Sequence, residues 1–225
     1  MIVGLCGAAR SGKDTVADML TEVLDAYTHR IQVAGPLKAY LRDMFDWTLE
    51  HTDGDLKDVP DKRYPRTFEA HDWQRQPDGS NFTCGNCGRE AHASEEVNGT
   101  PCTGYLTPRW AMQWLGGEFA EATFPAVYST RAARIAKKAT TDEDFDLAVI
   151  TDLRFIRDLR AAKAVGGVIV LVQRGGDGLT GSAAAHKGEM ARTKPEFLEL
   201  VDHTIVNDGT LEDLMAKVEG LTRTL

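Results

Sequence analysis

No stretch of this 225-residue chain approaches the ~18 consecutive apolar residues that a membrane-spanning helix needs. The opening residues, MIVGLCGAARSGK, lack the basic start, long apolar run and small-residue cleavage site of a secretion signal. Positive charge is in deficit: 26 Lys and Arg stand against 34 Asp and Glu, a formal net charge of −8. Proteins that live on a nucleic-acid backbone usually show the opposite balance, so nucleic acid is not the expected main partner. Cysteine is scarce, with four in the chain. The expected location is the cytoplasm, where thiols stay reduced or bind metal rather than pair as disulfides. Internal repeats are absent too.

What is present is material for a core. Apolar residues make up 42% of the chain, and the length suits a single α/β domain over residues 1–225 with room for an insertion. IVGLC (2–6) is a short apolar run that ends in glycine, the pattern of a buried parallel strand. From Thr15 to Tyr27, the residues Val16, Met19, Leu20, Val23, Leu24 and Tyr27 recur at helical spacing and form one face. Between strand and helix lies GAARSGKDT. It reads Gly7, four residues, then Gly12-Lys13, the spacing of a phosphate-binding loop in the setting such a loop requires.

In this reading the backbone N–H groups of residues 8–13 wrap a triphosphate at the positive end of the helix dipole. Ala8, Arg10, Ser11 and Gly12 line the loop, and Lys13 reaches the β- and γ-phosphates. The next residue is ordinarily Ser or Thr, whose hydroxyl holds Mg²⁺. Here it is Asp14, and the hydroxyl comes one place later at Thr15. A carboxylate is an acceptable Mg²⁺ ligand, directly or through water, and Arg10 offsets part of its charge. ATP and Mg²⁺ are the expected cofactors.

Further along, HRIQVAG (29–35) reads as a strand. Pro36 then opens a helix with Leu37, Tyr40, Leu41, Met44 and Phe45 on one face. Residues 50–106 are rich in turn formers and read as a partly irregular insertion. Thr107-Pro108 is a helix start. That helix runs through Trp110 and Trp114, which suit core packing, and is broken or kinked at Gly116-Gly117. A helix fits 128–139, a strand ending on an acid fits 145–152, a helix 155–165 and a strand 166–174. A Gly-rich loop (175–193), a short strand (203–208) and an amphipathic helix (TLEDLMAKVEGL) close the chain. Such alternation means parallel strands with helices on both faces.

GAARSGKDTVAD, QVAGPLKAYL, LTPRWAMQWLGGEF, VITDLRF and DHTIVNDGTLEDL resemble, in order and spacing, the phage-type deoxynucleoside monophosphate kinases of the P-loop kinase superfamily. Gly-Lys-Asp-Thr is itself a habit of that family. The likeness covers most of the chain except roughly 67–106. It implies a five-stranded parallel sheet, an acceptor region, a lid-like loop at 175–193, and transfer of the ATP γ-phosphate to a deoxynucleoside monophosphate to give the diphosphate and ADP. By the same likeness Lys38, Arg66, Arg109, Tyr128, Asp152 and Arg154 surround the monophosphate, and Gly116 and Gly117 let it approach backbone. Lys13, Arg109, Asp152 and Arg154 are the catalytic set. Arg174 and Arg192 lie near ATP. Asn207 is either an adenine-side contact or part of a turn. The expected partners are ATP and the monophosphate, with neither nucleic acid nor membrane, in the host cytoplasm if the chain is phage-encoded. A homodimer is left open.

The chemistry agrees with these residue types. A monophosphate with a second pKa near ~6 is already a nucleophilic dianion at neutral pH. The protein must hold two anions together and stabilise spread charge, which calls for Arg, Lys and Mg²⁺ rather than a strong base. Two other readings stand beside this one. A P-loop kinase for another small acceptor, of the dephospho-coenzyme A or phosphomevalonate type, uses the same loop. A zinc-bearing nucleic-acid or regulatory module would use the cysteines. In the insertion, Cys84, Cys87, His92 and Cys102 form a tetrahedral Zn²⁺ set, with His71 or an acid as alternatives to His92. Cys6 is expected in the core. From Pro77 to Leu106 the only basic side chain is Arg89, which suits a structural zinc better than a phosphate-backbone reader.

Overall fold

The computed structural model describes residues 1–8, 10–68, 73–75, 81–84, 90–92, 102–174 and 194–225. They fall into two compact units, one of Met1–Pro36 with Ala120–Leu225 and one of Leu37–Phe119. The second is broader than the insertion read from the sequence, because the helix after Pro36 and the helix after Thr107 belong to it.

The first unit is built on a five-stranded sheet. Its strands are β1 (Ile2–Gly7), β2 (Thr28–Ile31), β8 (Leu147–Leu153), β9 (Val168–Gln173) and β10 (His203–Val206). The order is β2-β8-β1-β9-β10, and every pairing is parallel. Side chains alternate across it. Val3, Leu5, Val149, Val170 and Val172 face α1 (Lys13–Val23) and the C-terminal helix α9 (Leu211–Thr222), meeting Val16, Leu20, Leu214 and Val218. Ile2, Cys6, Ile150, Ile169 and Leu171 face the other way, onto Ala132, Ala136, Leu159 and Ala162 of α6 (Val127–Asp142) and α7 (Ile156–Ala164). The short helices α5 (Ala120–Thr123) and α8 (Pro195–Leu198) belong to the same unit. The expected helix-covered parallel sheet is thus present, and Cys6 is core, fully buried.

The helix expected to run to Tyr27 stops at Val23, and Asp25 adopts a left-handed φ of 47°. Tyr27 lies past this turn, largely exposed, and stacks on Phe145 with ring centroids 4.4 Å apart.

The second unit carries the end of α2 (Gly35–Phe45), the short α3 (Leu49–Thr52), a 3₁₀ turn (Asp55–Asp58) and α4 (Pro108–Gln113). In α2, Leu37 and Leu41 are buried, whereas Tyr40 and Met44, expected on the same face, are exposed. Among the described residues, the stretch expected to be partly irregular carries five short antiparallel strands. β3 (Asp61–Phe68) pairs with β7 (Cys102–Leu106), and β4 (Trp73–Arg75), β5 (Asn81–Cys84) and β6 (Glu90–His92) form a three-stranded sheet. α4 begins as expected, with Thr107 Oγ1 accepting the Trp110 N–H and Pro108 in the first turn. It then widens into a π-helical turn over Trp114–Phe119, which holds Gly116-Gly117. Trp110 and Trp114 stack on each other at 6.1 Å rather than filling a core, and Trp114 is 44% exposed.

Candidate active site

In an open parallel sheet, ligands bind beyond the carboxyl ends of the strands. That edge of the first unit carries the phosphate loop after β1, Asp152 and Arg154 at the end of β8, Arg174 after β9 and Asn207 after β10. The strand order places β1 between β8 and β9, so the loop emerges between the other sets.

The loop is tightly constrained. Gly7 has φ +148°, and a Cβ there would come within 2.2 Å of the Val172 carbonyl oxygen. Arg10 takes a left-handed φ of 64°, and Ser11 N–H donates to the Ala8 carbonyl at 3.2 Å. Gly12, φ +98°, is the N-cap from which α1 starts at Lys13. The Lys13 ammonium is folded onto its own loop, donating to the carbonyl oxygens of Ala8 (2.5 Å) and Gly7 (3.2 Å). Ser11 Oγ is buried, with no hydrogen-bond partner among the described residues. A buried hydroxyl left unpaired costs about 1–3 kcal/mol, so it is a ready donor for an incoming oxygen. A helix N-terminus, a lysine and an orphaned hydroxyl are a donor set that fits a triphosphate. Asp14 lies exposed in the first turn of α1 beside half-buried Thr15. Both are oxygen ligands of the type Mg²⁺ takes.

Asp152 is half-buried and braces backbone. Its carboxylate accepts the Val33 N–H at 2.5 Å and the Ala34 N–H at 3.2 Å, tying the end of β8 to the turn after β2. Arg154 is exposed and its side chain makes no hydrogen bond or ion pair among the described residues. Its backbone is held by a residue that sequence reasoning missed. Asp158 accepts the N–H groups of Arg154 and Phe155, each at 2.9 Å, and a hydrogen bond from Ser129 Oγ. Asp158 is 3% exposed, and burial pushes its carboxyl above the ordinary range despite these bonds. Tyr128, next to Ser129, packs partly buried against the core, and burial raises its phenol. Arg174 is exposed where the described chain breaks off. The lid-like loop 175–193, with Arg192, lies outside the described residues. Asn207 donates its side-chain N–H to the Ser11 carbonyl at 3.0 Å.

In the second unit the expected phosphate ligands are each engaged. Lys38 Nζ lies 2.6 Å from Asp53, and Arg42 joins through Thr52 Oγ1 at 2.8 Å and Asp53 at 3.5 Å. Burial would raise the Asp53 carboxyl, but hydrogen bonds from Lys38 and Thr52 with the charges of Lys38 and Arg42 prevail and lower it. Arg109 grips Asp58 with both prongs of its fork, Nη2 to Oδ2 at 2.8 Å. That bond depresses the Asp58 carboxyl and raises the guanidinium. Lys57 completes the group. Its ammonium is lowered by burial and by the like charges of Arg109 and Lys38. The cluster therefore holds Lys38, Arg42, Lys57 and Arg109 against Asp53 and Asp58, a surplus of positive charge. Arg66, on β3, stacks over Trp110 with its guanidinium carbon 3.2 Å from the ring centroid, a cation–π contact, and burial lowers its pKa. Gly116 approaches Leu37, where a Cβ would lie 3.2 Å from the side chain, while a Cβ at Gly117 would meet nothing within 4 Å.

Cys84 and Cys102 are buried, 1% and 0% exposed, with Sγ atoms 3.7 Å apart. Cys87, His71 and the His92 side chain lie outside the described residues. Among the described residues, no three potential ligands gather as a metal site. No described helix is long and apolar enough to cross a membrane.

No family model matches the chain. It is 31% identical over 115 residues to the deoxynucleotide monophosphate kinase of Escherichia phage RB69, a match spanning 51% of this chain and 44% of that protein. With the deoxynucleotide monophosphate kinase of Enterobacteria phage T4 it shares 23% identity over 254 aligned positions, covering 100% of this chain and 99% of the relative. Among solved structures, shikimate kinase from Acinetobacter baumannii in complex with shikimate aligns over 99% of this chain and 93% of its own, with 13% identity and a TM-score of 0.44. In sequence the chain is thus similar to the deoxynucleotide monophosphate kinases of two phages, and it spans about half the length of the first of them.

Proposed function

We propose that this protein transfers the γ-phosphoryl group of ATP to a deoxynucleoside monophosphate. The observation that carries the reading is the constrained loop between β1 and α1, with Lys13 at the helix start and the buried Ser11 hydroxyl unpaired among the described residues. In the reaction an oxygen of the acceptor phosphate bonds to the γ-phosphorus. The bond from that phosphorus to the β,γ-bridging oxygen breaks, and ADP leaves with the electron pair. Lys13 and the loop N–H groups stabilise the charge that develops on the transferring group. Lys38, Arg109 and Arg66 bind the acceptor's phosphate, the first two by exchanging Asp53 and Asp58 for it. Arg154 supplies a further cation, and Asp152 keeps the β2–α2 turn in place. Asp14 and Thr15 are the residues that would hold Mg²⁺, which neutralises polyphosphate charge when bound. Such substrates put its work in the cytoplasm, that of the host if the chain is phage-encoded.

A coupled assay of ADP release tests the reading across deoxynucleoside monophosphates, ribonucleoside monophosphates and dephospho-coenzyme A. Turnover with one or more deoxynucleoside monophosphates is expected. Turnover with dephospho-coenzyme A alone would overturn the acceptor assignment.

We also propose a structural Zn²⁺ held by Cys84 and Cys102, with Cys87 and His92 named from the sequence alone. Two thiolates on one tetrahedral zinc, with Zn–S near 2.3 Å, stand about 3.8 Å apart. The buried pair at 3.7 Å supports that geometry and is too long for a disulfide.

A further inference from the structure

Asn207 stands on a corner fixed from several sides. Its own N–H donates to the Gln173 carbonyl at 2.6 Å, prolonging the β9–β10 ladder. Lys217 pins the residues around it, donating to the Val206 carbonyl at 2.7 Å and to Asp208 at 2.6 Å. Thr210 and Asp213 then cap α9 reciprocally. From this corner the Asn207 side chain reaches back across most of the sequence to the phosphate loop. Its Nδ2 donates to the Ser11 carbonyl at 3.0 Å. The same atom would lie 2.5 Å from any Cβ at position 12, so Gly12 is needed for room as well as for its φ of +98°. The acceptor is a carbonyl, so the group facing it must be the amide NH₂.

A trans peptide points its C=O and the following N–H in opposite directions. Holding the Ser11 oxygen toward β10 therefore turns the Gly12 N–H away from β10. We propose that Asn207 is a positioning residue of the phosphate loop. It locks the Ser11–Gly12 peptide so that the loop presents its N–H groups to a polyphosphate, and it favours every triphosphate alike, whatever the base. The affinity part of this proposal rests on the loop being a triphosphate site; the bracing part does not. An adenine contact, the other role open to Asn207, would act on the base instead.

The test compares the wild-type chain with Asn207→Ala and Asn207→Asp. Asp keeps the volume but loses the donor and adds a negative charge, so it is read by loop exchange and the affinity comparison rests on Asn207→Ala. Binding of Mg·ATP, Mg·GTP and inorganic tripolyphosphate is measured by calorimetry, and amide hydrogen exchange is followed in a peptide covering residues 7–15. Losing one such hydrogen bond should weaken all three polyphosphates by about tenfold. Loop exchange should quicken in both variants, while the KM for the monophosphate stays unchanged. A loss confined to ATP, with tripolyphosphate unaffected, would overturn the brace and favour the base contact. Unchanged loop exchange would overturn it outright. Wild-type protein that binds no polyphosphate would defeat the proposed function, yet loop exchange would still decide whether Asn207 is a brace. Polyphosphate binding without any transfer to monophosphates would defeat the acceptor assignment alone.

Discussion

At the residue scale the phosphate loop is the most legible feature, because its geometry is local. Gly7, Gly12 and Lys13 are set by spacing, and spacing is visible in a sequence. Lys13→Ala should abolish phosphoryl transfer while leaving the thermal midpoint nearly unchanged, since its ammonium is half-buried and donates to carbonyls of its own loop. A folded variant with turnover within threefold of wild type would remove Lys13 from the reaction. The carboxylates around the expected phosphate ligands were not legible. Nothing in DGDLKDVPD says that Asp53 will meet Lys38 or that Asp58 will meet Arg109, because those pairs join segments 15 and 51 residues apart. Lys57 escaped for the same reason. Its place beside Lys38 and Arg109 is tertiary, and on the sequence it reads as an ordinary solvated lysine.

At the element scale, buried parallel strands announce themselves as continuous apolar runs, so β1, β8 and β9 were found within a few residues. The antiparallel strands of the second unit were not. They are short, they alternate with polar positions, and frequent turn formers mask them. The corner between β8 and α7 shows what a local reading omits. Asp158 looks like an ordinary first-turn acid, yet it is buried and holds Arg154, Phe155 and Ser129 together. Its raised pKa means that the native state binds a proton more readily than the unfolded chain does. The stability this contributes is complete below the ordinary value of 3.8 and is lost as pH rises through the raised value. Asp158→Asn keeps the acceptor for both N–H groups and has no charge to bury. Its urea midpoint relative to wild type should therefore climb as pH rises from about 3 to 7. Parallel midpoints across that range would show that the carboxyl is not under burial stress. Asp158→Ala should destabilise by about 2–4 kcal/mol near pH 3, because it strands two N–H donors and a hydroxyl, and by less at pH 7, where the wild type must bury a charge.

At the scale of the whole molecule, the two units are stabilised in different ways. The first buries two apolar layers, one on each face of its sheet. Among its described residues the second buries fewer apolar side chains. Across β4, β5 and β6 the buried side chains among the described residues are Cys84 and Ala91. A three-stranded sheet with so little apolar burial needs another source of order, and small domains commonly find it in a metal. Protein purified without chelator should therefore carry about one zinc per chain, with four protein ligands and no open position for chemistry. Retention should weaken as pH falls, because the thiolates must be deprotonated to bind. Cys84→Ser should release the zinc and speed amide exchange across β4–β6, while ATP affinity, which depends on the first unit, stays within twofold. Zinc content near zero with all four thiols reactive would refute the site. Full zinc in a Cys84→Ser, Cys102→Ser double variant would show that the buried pair is packing rather than ligation. Loss of ATP binding together with zinc would show that the order of the first unit depends on the second.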